Sequence, residues 1–346
     1  MILHHRFSVV LSLTMVASLF STCVNADQHD LFYKGRTIDF VIGYAPGSGY
    51  DTCARLLARF FGRHIPGTPT VVPKNMPIAG SLAAANHVYR ATADGTVIGS
   101  ISRSLPLAPL LQTADVKSIQ FDPRKFTWIG SMSSETTIGF VSSETGINTF
   151  DDLKRRQVTT GTAATTSDGF LFSNMINKLF DTKLKIVLGY PGTNLVYTAV
   201  ERGELDGYFG GTLGSLISTH PDWLSNGSIN MIVQIALKKD AALPNVPLIM
   251  DYARDETQRD ALKLILSPQR MGRPYMAPPG LPVGRSETLR TAFDDAMKDP
   301  DLIELAIRSS IDISPMTGAE ISALLDELYS TSSTAVSIAR DALAQP

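Results

Sequence analysis

From residue 37 to residue 237, apolar runs of strand length alternate with helix-length segments whose apolar residues recur every three or four positions. "TIDFVIGY" reads as a strand, and "DTCARLLARFFGRHI" as a helix with Cys53, Leu56, Leu57, Phe60 and Phe61 on one side. "TVVPKN", "GTVIGSIS" and "FTWIGSM" follow as strands, with a helix over "SLAAANHVYRA" between the first two. Five more strands come next: "TIGFVSS", "QVTTG", "KLKIVLGY", "LDGYFGG" and "SINMIVQIAL". Helices over "TFDDLKRR", "DGFLFSNMINKLF" and "TNLVYTAVERG" are interspersed among them, and long helices occupy most of residues 255–340. This order demands an α/β fold with mostly parallel sheets flanked by helices.

A chain of 346 residues, 44% of them hydrophobic, is long enough for two domains that each bury a core. No internal repeat and no low-complexity tether separates them, so two lobes joined by two crossings are expected. The crossings fall near "SMSSETTIGF" and "VQIALKKDAALPNVPL". Residues 27–136 then begin lobe 1, residues 137–238 form lobe 2, and residues 239–346 complete lobe 1 with the carboxy-terminal helices. Ligands of such folds bind in the crevice outside the carboxyl ends of the strands.

The amino terminus has a basic start, "MILHHR", an apolar run of fourteen, "FSVVLSLTMVASLF", and a small-residue boundary, "VNA". This is the pattern of a signal peptide over residues 1–26, cut after Ala26, because the run is too short to span a bilayer. A retained anchor is the alternative; a lipoprotein cysteine at Cys23 lacks the usual small residue before it. Cleavage leaves Cys53 as the one cysteine, which excludes a disulfide framework and a thiolate metal site. Cys53 sits among Leu56, Leu57 and Phe60, as a buried structural thiol does; no histidine lies near it in sequence to make it a nucleophile. A net charge of −2 without a basic run gives no reason to expect nucleic acid.

"GYAPGSGYDTCARLL" (43–57) carries three glycines and a proline from a strand into a helix. It lacks the lysine of a phosphate loop, and Thr52 stands where a dinucleotide fingerprint needs its third glycine. The chain has no Gly-x-Ser-x-Gly elbow and no His-Glu-x-x-His pair; His29, His64, His87 and His220 are scattered without ligand spacing. No cofactor or metal is therefore expected. What remains is the holding of an anion. Gly47 and Gly49 allow a tight turn that exposes amides at a helix start, and Asp51 either caps that helix or meets a ligand. A second loop, "VTTGTAATTSDGFLF", repeats this chemistry through Gly161, Thr162, Thr165, Thr166 and Ser167; its plainer reading is an N-cap. Neither Pro46–Asp51 nor Gly161–Asp168 contains lysine or arginine, so helix-start amides are expected to supply most of the positive field. Arg103, just after "GTVIGSIS", is either a cationic helper or a surface salt bridge.

Four segments together resemble one family. They are "GYAPGSGYDTCARLLARF", "VVPKNMPIAGSLAAANHVYRATADGTVIGS", "GYPGTNLVYTAVERGELDGYF" and "MAPPGLPVGRSETLRTAFDDAMKDP". In this order they are similar to the periplasmic substrate-binding receptors of tripartite tricarboxylate transporters, the Bug-type proteins. The resemblance covers nearly all of the mature chain. It implies a two-lobed type II periplasmic binding fold that closes on a small organic carboxylate, with membrane permease subunits as partners. It implies ligand contacts from Pro46, Gly47, Ser48, Gly49, Tyr50 and Asp51, and from Gly161 to Asp168; Arg103 and Gly192 join them as candidates. The chain departs from the family at Ala163 and Ala164, at Asp168 where many members carry histidine, and at an inserted "PGTPT". An exported enzyme or a sensor input on the same scaffold are the competing readings.

Overall fold

In the computed structural model, residues 32–344 are described, except 113–115, 164, 166, 191 and 310. The segment read as a signal peptide, His29 and Thr166 lie outside the described residues. The chain runs β1 (Thr37–Ile42), α1 (Gly49–Phe61), β2 (Thr70–Asn75), α2 (Leu82–Arg90), β3 (Val97–Ser100), α3 (Ala108–Leu111) and β4 (Thr127–Ser131). Then come β5 (Thr137–Ser142), α4 (Asp152–Arg155), β6 (Val158–Thr162), α5 (Asp168–Phe180), β7 (Leu184–Leu188), α6 (Thr193–Glu201), β8 (Gly207–Thr212), α7 (Leu213–Thr219) and β9 (Ile229–Ile235). It ends with α8 (Glu256–Leu266), β10 (Pro274–Ala277), α9 (Val283–Ala296), α10 (Pro300–Arg308), β11 (Met316–Thr317), α11 (Gly318–Tyr329) and α12 (Ser333–Leu343).

The strands form two sheets, ordered β11-β4-β10-β3-β1-β2 and β7-β6-β8-β5-β9. Both are mixed, with most strands of each sheet running in one direction as expected and a minority reversed. In the first, β1 to β4 share one direction and β10 and β11 oppose it; in the second, β6 to β9 share one direction and β5 opposes it. The cause is the double crossing. A chain leaving one lobe at the carboxyl end of a strand enters the other lobe at its crevice end, so the strand it then forms runs away from the crevice. β5 follows the first crossing and β10 the second. Residue periodicity reports which face of a strand is buried and carries no information about its direction.

Each sheet buries apolar side chains under helices. Phe40 and Ile42 of β1 pack beneath Leu57 and Phe61 of α1, together with Phe293 of α9. In the second sheet, Ile138 and Phe140 pack with Tyr197 of α6 and Trp223. The carboxy-terminal helices divide between the lobes. Arg290 of α9 donates to the Trp128 carbonyl of β4, and Arg63 pairs with Asp299 at the start of α10, so these helices cover the first sheet. α8 and α12 do otherwise. Gln258 of α8 donates to the Leu179 carbonyl of α5, and Asn174 of α5 donates to the carbonyls of Ala342 and Ala344. α12 also reaches the first lobe, where Arg340 donates to the Leu110 carbonyl. The apolar face of α12 therefore lies over α5 as well as over the first lobe. Among the described residues no helix is long and apolar enough to cross a membrane.

Candidate ligand site between the lobes

The first loop is built by its own side chains. Gly47 takes φ +79°, which favours glycine, and turns its amide onto Asp51 Oδ2 at 2.8 Å. Asp51 Oδ1 also accepts from Arg55 Nε at 2.9 Å and from Asn75 Nδ2 at 2.7 Å. Burial alone would push this carboxyl up, but the bonds from Arg55, Asn75 and Gly47 win and hold it below its ordinary value. Asp51 is therefore a clasp for the loop. The helix cap is Ser48, whose hydroxyl accepts from the Asp51 amide. The cap role weighed for Asp51 gives way to this one, and three donor groups make four hydrogen bonds to its two oxygens. Pro46 and Gly49 are exposed at the loop tip.

Tyr50 connects this loop to what lies beneath it. Its ring stacks on Tyr44, with centroids 4.0 Å apart and planes 1° from parallel. Its phenol oxygen accepts from the Arg103 amide at 3.1 Å, and the Arg273 guanidinium lies 4.4 Å from its ring centroid. Burial raises the phenols of Tyr44 and Tyr50, so both stay neutral.

The second loop starts α5. A Cβ at Gly210 of β8 would stand 2.3 Å from the Gly169 Cα, so two glycines let the first turn of α5 press against the strand. Asp168, the first residue of that turn, is thereby fixed at the crevice. Ser167 is the N-cap residue, with extended backbone. Thr162 is buried at the end of β6, Gly161 packs against Leu205 and Tyr190, and Thr165 is half-buried. Gly192 is the N-cap of α6, exposed and with extended backbone, and a Cβ there would meet nothing within 4 Å.

Four charged side chains form one chain of ion pairs. Arg273, just before β10, binds Glu135 Oε1 at 2.5 Å. The other oxygen of Glu135 binds Arg103, and Arg103 Nη2 reaches Asp168 Oδ2 at 2.5 Å. Arg103 is only 3% exposed, so the surface salt bridge is ruled out, and the positive field near the loops comes from guanidinium groups as well as amides. Burial disfavours charge on Arg103 and Arg273, yet Asp168 and Glu135 outweigh it for the first and Glu135 for the second; both are held above the ordinary arginine value. Of the expected site residues, Tyr50, Arg103 and Asp168 meet directly. Glu135, Arg273 and Tyr44 were missed. A lone glutamate in the crossing "SMSSETTIGF" was the available signal, because a buried charge must find partners.

No protein-family model matches the sequence, and no curated protein does either. Solved structures do match in shape. A TctC solute-binding protein from Polaromonas aligns with a TM-score of 0.66 at 15% identity, over 86% of this chain and 96% of its own. The periplasmic binding protein BugD aligns at 0.63 and 18% identity, over 86% and 95%. MatC from Rhodopseudomonas palustris, solved with bound malate, aligns at 0.62 and 18% identity, over 89% and 99%. The fold is that of the periplasmic solute-binding proteins. Such proteins are two-lobed, and here the crevice between the lobes is the space bridged by Arg103 and Asp168.

Proposed function

We propose that this chain is an exported receptor that captures a small organic carboxylate between its lobes and delivers it to the permease subunits of a tripartite tricarboxylate-type transporter. The observation that carries this reading is the buried guanidinium of Arg103, supplied by the first lobe and aimed at the first turn of α5 in the second. A helix start favours negative charge, and a guanidinium beside it offers a carboxylate two parallel donors. Ligands that contact both lobes stabilise the closed form, which is the form a permease can distinguish from the empty one. Proteins of this fold hold malate in one case and adipate in another, R. palustris Rpa4515, which supports a carboxylate here.

A binding role fits better than catalysis. Cys53 is buried, and burial pushes its thiol up, away from the reactive thiolate. Asp51 is enclosed by donors, His64 pairs with Asp299, and His220 packs on Trp223. Export fits a signal peptide ending at Ala26, and the two-lobe division at 27–136 with 239–346, against 137–238, fits the two sheets. The test is a thermal-shift screen of mono-, di- and tricarboxylates and amino acids. A ligand at one hundred times its Kd adds about 2.7 kcal/mol to stability, a shift that is easily read. Stabilisation by sugars or cations alone would defeat the proposal.

A further inference from the structure

We infer that the crevice selects a carboxylate that also carries a cationic amine, with Asp168 as the residue that sets this preference; the inference rests on the receptor function proposed above. The reasoning begins with charge. The crevice network holds two guanidinium groups, Arg103 and Arg273, and two carboxylates, Glu135 and Asp168, in the linear order Arg273–Glu135–Arg103–Asp168. Every positive charge in it already has a negative partner.

The four members are not equivalent. Arg103, Glu135 and Arg273 have side chains 3%, 12% and 15% exposed, and they belong to the first lobe or to the crossing beside it. Asp168 is 31% exposed and is the one member that comes from the second lobe. Separating the lobes therefore breaks one link, Arg103–Asp168, and leaves the other two intact. That link is where a ligand enters.

A ligand inserted there faces a guanidinium on one side and a carboxylate on the other. Its own carboxylate takes the place of Asp168 on Arg103. Asp168 then loses its cation, and a partly buried carboxylate left without its ion pair is less favourable than a paired one. A plain carboxylate leaves that cost unmet, and a dicarboxylate adds a second negative charge beside Asp168. An ammonium on the ligand meets it, because it gives Asp168 a new partner and keeps the crevice neutral. The Tyr44–Tyr50 stack adds a neutral aromatic wall beside Arg103. Glu135 is no substitute for Asp168, since both of its oxygens are held by arginines.

Calorimetry on the mature protein with matched pairs tests this: succinate against aspartate, butyrate against 4-aminobutyrate, and propionate against alanine. The expected result is that the amine-bearing member of at least one pair binds at least tenfold more tightly than its counterpart. Asp168→Asn should remove that preference, read as the ratio of the two affinities within each pair falling to about one. Asp168→Ser, which keeps a small polar side chain in the first turn of α5, provides the same comparison if the asparagine variant folds poorly. Equal or tighter binding of the amine-free members by the wild type overturns the inference, as does a preference that survives both substitutions; the receptor function then stands alone. If no carboxylate binds, with or without an amine, the receptor function falls and takes the inference with it.

Discussion

Glu135→Gln changes the crevice network at its centre while keeping volume. Glu135 binds Arg273 through one oxygen and Arg103 through the other, and its side chain is 12% exposed. The glutamine retains one acceptor oxygen, so one arginine keeps a hydrogen bond to a neutral acceptor and the other loses its bond to residue 135, with Asp168 still beside Arg103. Breaking a buried ion pair from one side costs about 3–5 kcal/mol, and the surviving bond places the expected loss near the lower end, about 3 kcal/mol. Urea unfolding followed by fluorescence measures it, because the two tryptophans report separately: Trp128 lies in β4 of the first sheet and Trp223 packs on Phe140 of the second. Glu135 sits in the crossing, so both signals should move to lower urea. A loss under about 1 kcal/mol, the range of exposed ion pairs, would show that the network is hydrated and that its burial has been over-read.

Three further outcomes are expected. Replacing Thr165 and Thr166 together by valine should weaken a bound carboxylate tenfold or more, since each hydrogen bond lost from a charged group costs about 1.5–3 kcal/mol; unchanged affinity by calorimetry would put the ligand on another loop. Asp299 caps α10 through the Asp301 amide, and Arg63, with His64 and that amide, holds its carboxyl well below the usual range. Asp299→Ala should cost about 1 kcal/mol for the cap alone. A depressed carboxyl contributes its stability above the unfolded value of about 3.9 and loses it below, so the gap between wild type and variant should narrow as pH falls from about 5 to 2. A gap that is flat across that range would contradict the ion-pair assignment. Finally, mass spectrometry of the exported protein should show Asp27 as its first residue; an intact Met1 on a membrane-bound product would contradict cleavage after Ala26.

Much of the architecture was legible in the sequence because burial imposes a period on each element. Strands such as "TIDFVIGY" and helices such as "DGFLFSNMINKLF" declare themselves within a dozen residues. Strand direction does not, and so the reversal of β5 and β10 within their sheets was not visible. The apolar face of α12 was visible, but a face does not name its partner, and α5 proved to share it with the first lobe. In the site, the loops were legible from glycine and hydroxyl content. The roles within them were decided by partners outside the loop: Asn75 from β2, and Arg55 one turn along α1, turned Asp51 into a clasp. Arg103, Glu135, Asp168 and Arg273 are 170 positions apart from first to last. Nothing local in the sequence pairs them; the crossing of the chain between lobes does.

A crystal structure of the protein with its tightest ligand from the screen tests the central claim most directly. The account predicts one ligand between the lobes, its carboxylate on Arg103 beside the first turn of α5 and its opposite side against Tyr50. The Arg103–Asp168 contact should be replaced by ligand contacts to both residues, while Arg273–Glu135–Arg103 persists. A ligand bound elsewhere, for instance in the groove behind the crossings lined by Lys238, Arg270 and Glu320, with Arg103 and Asp168 still joined, would contradict it.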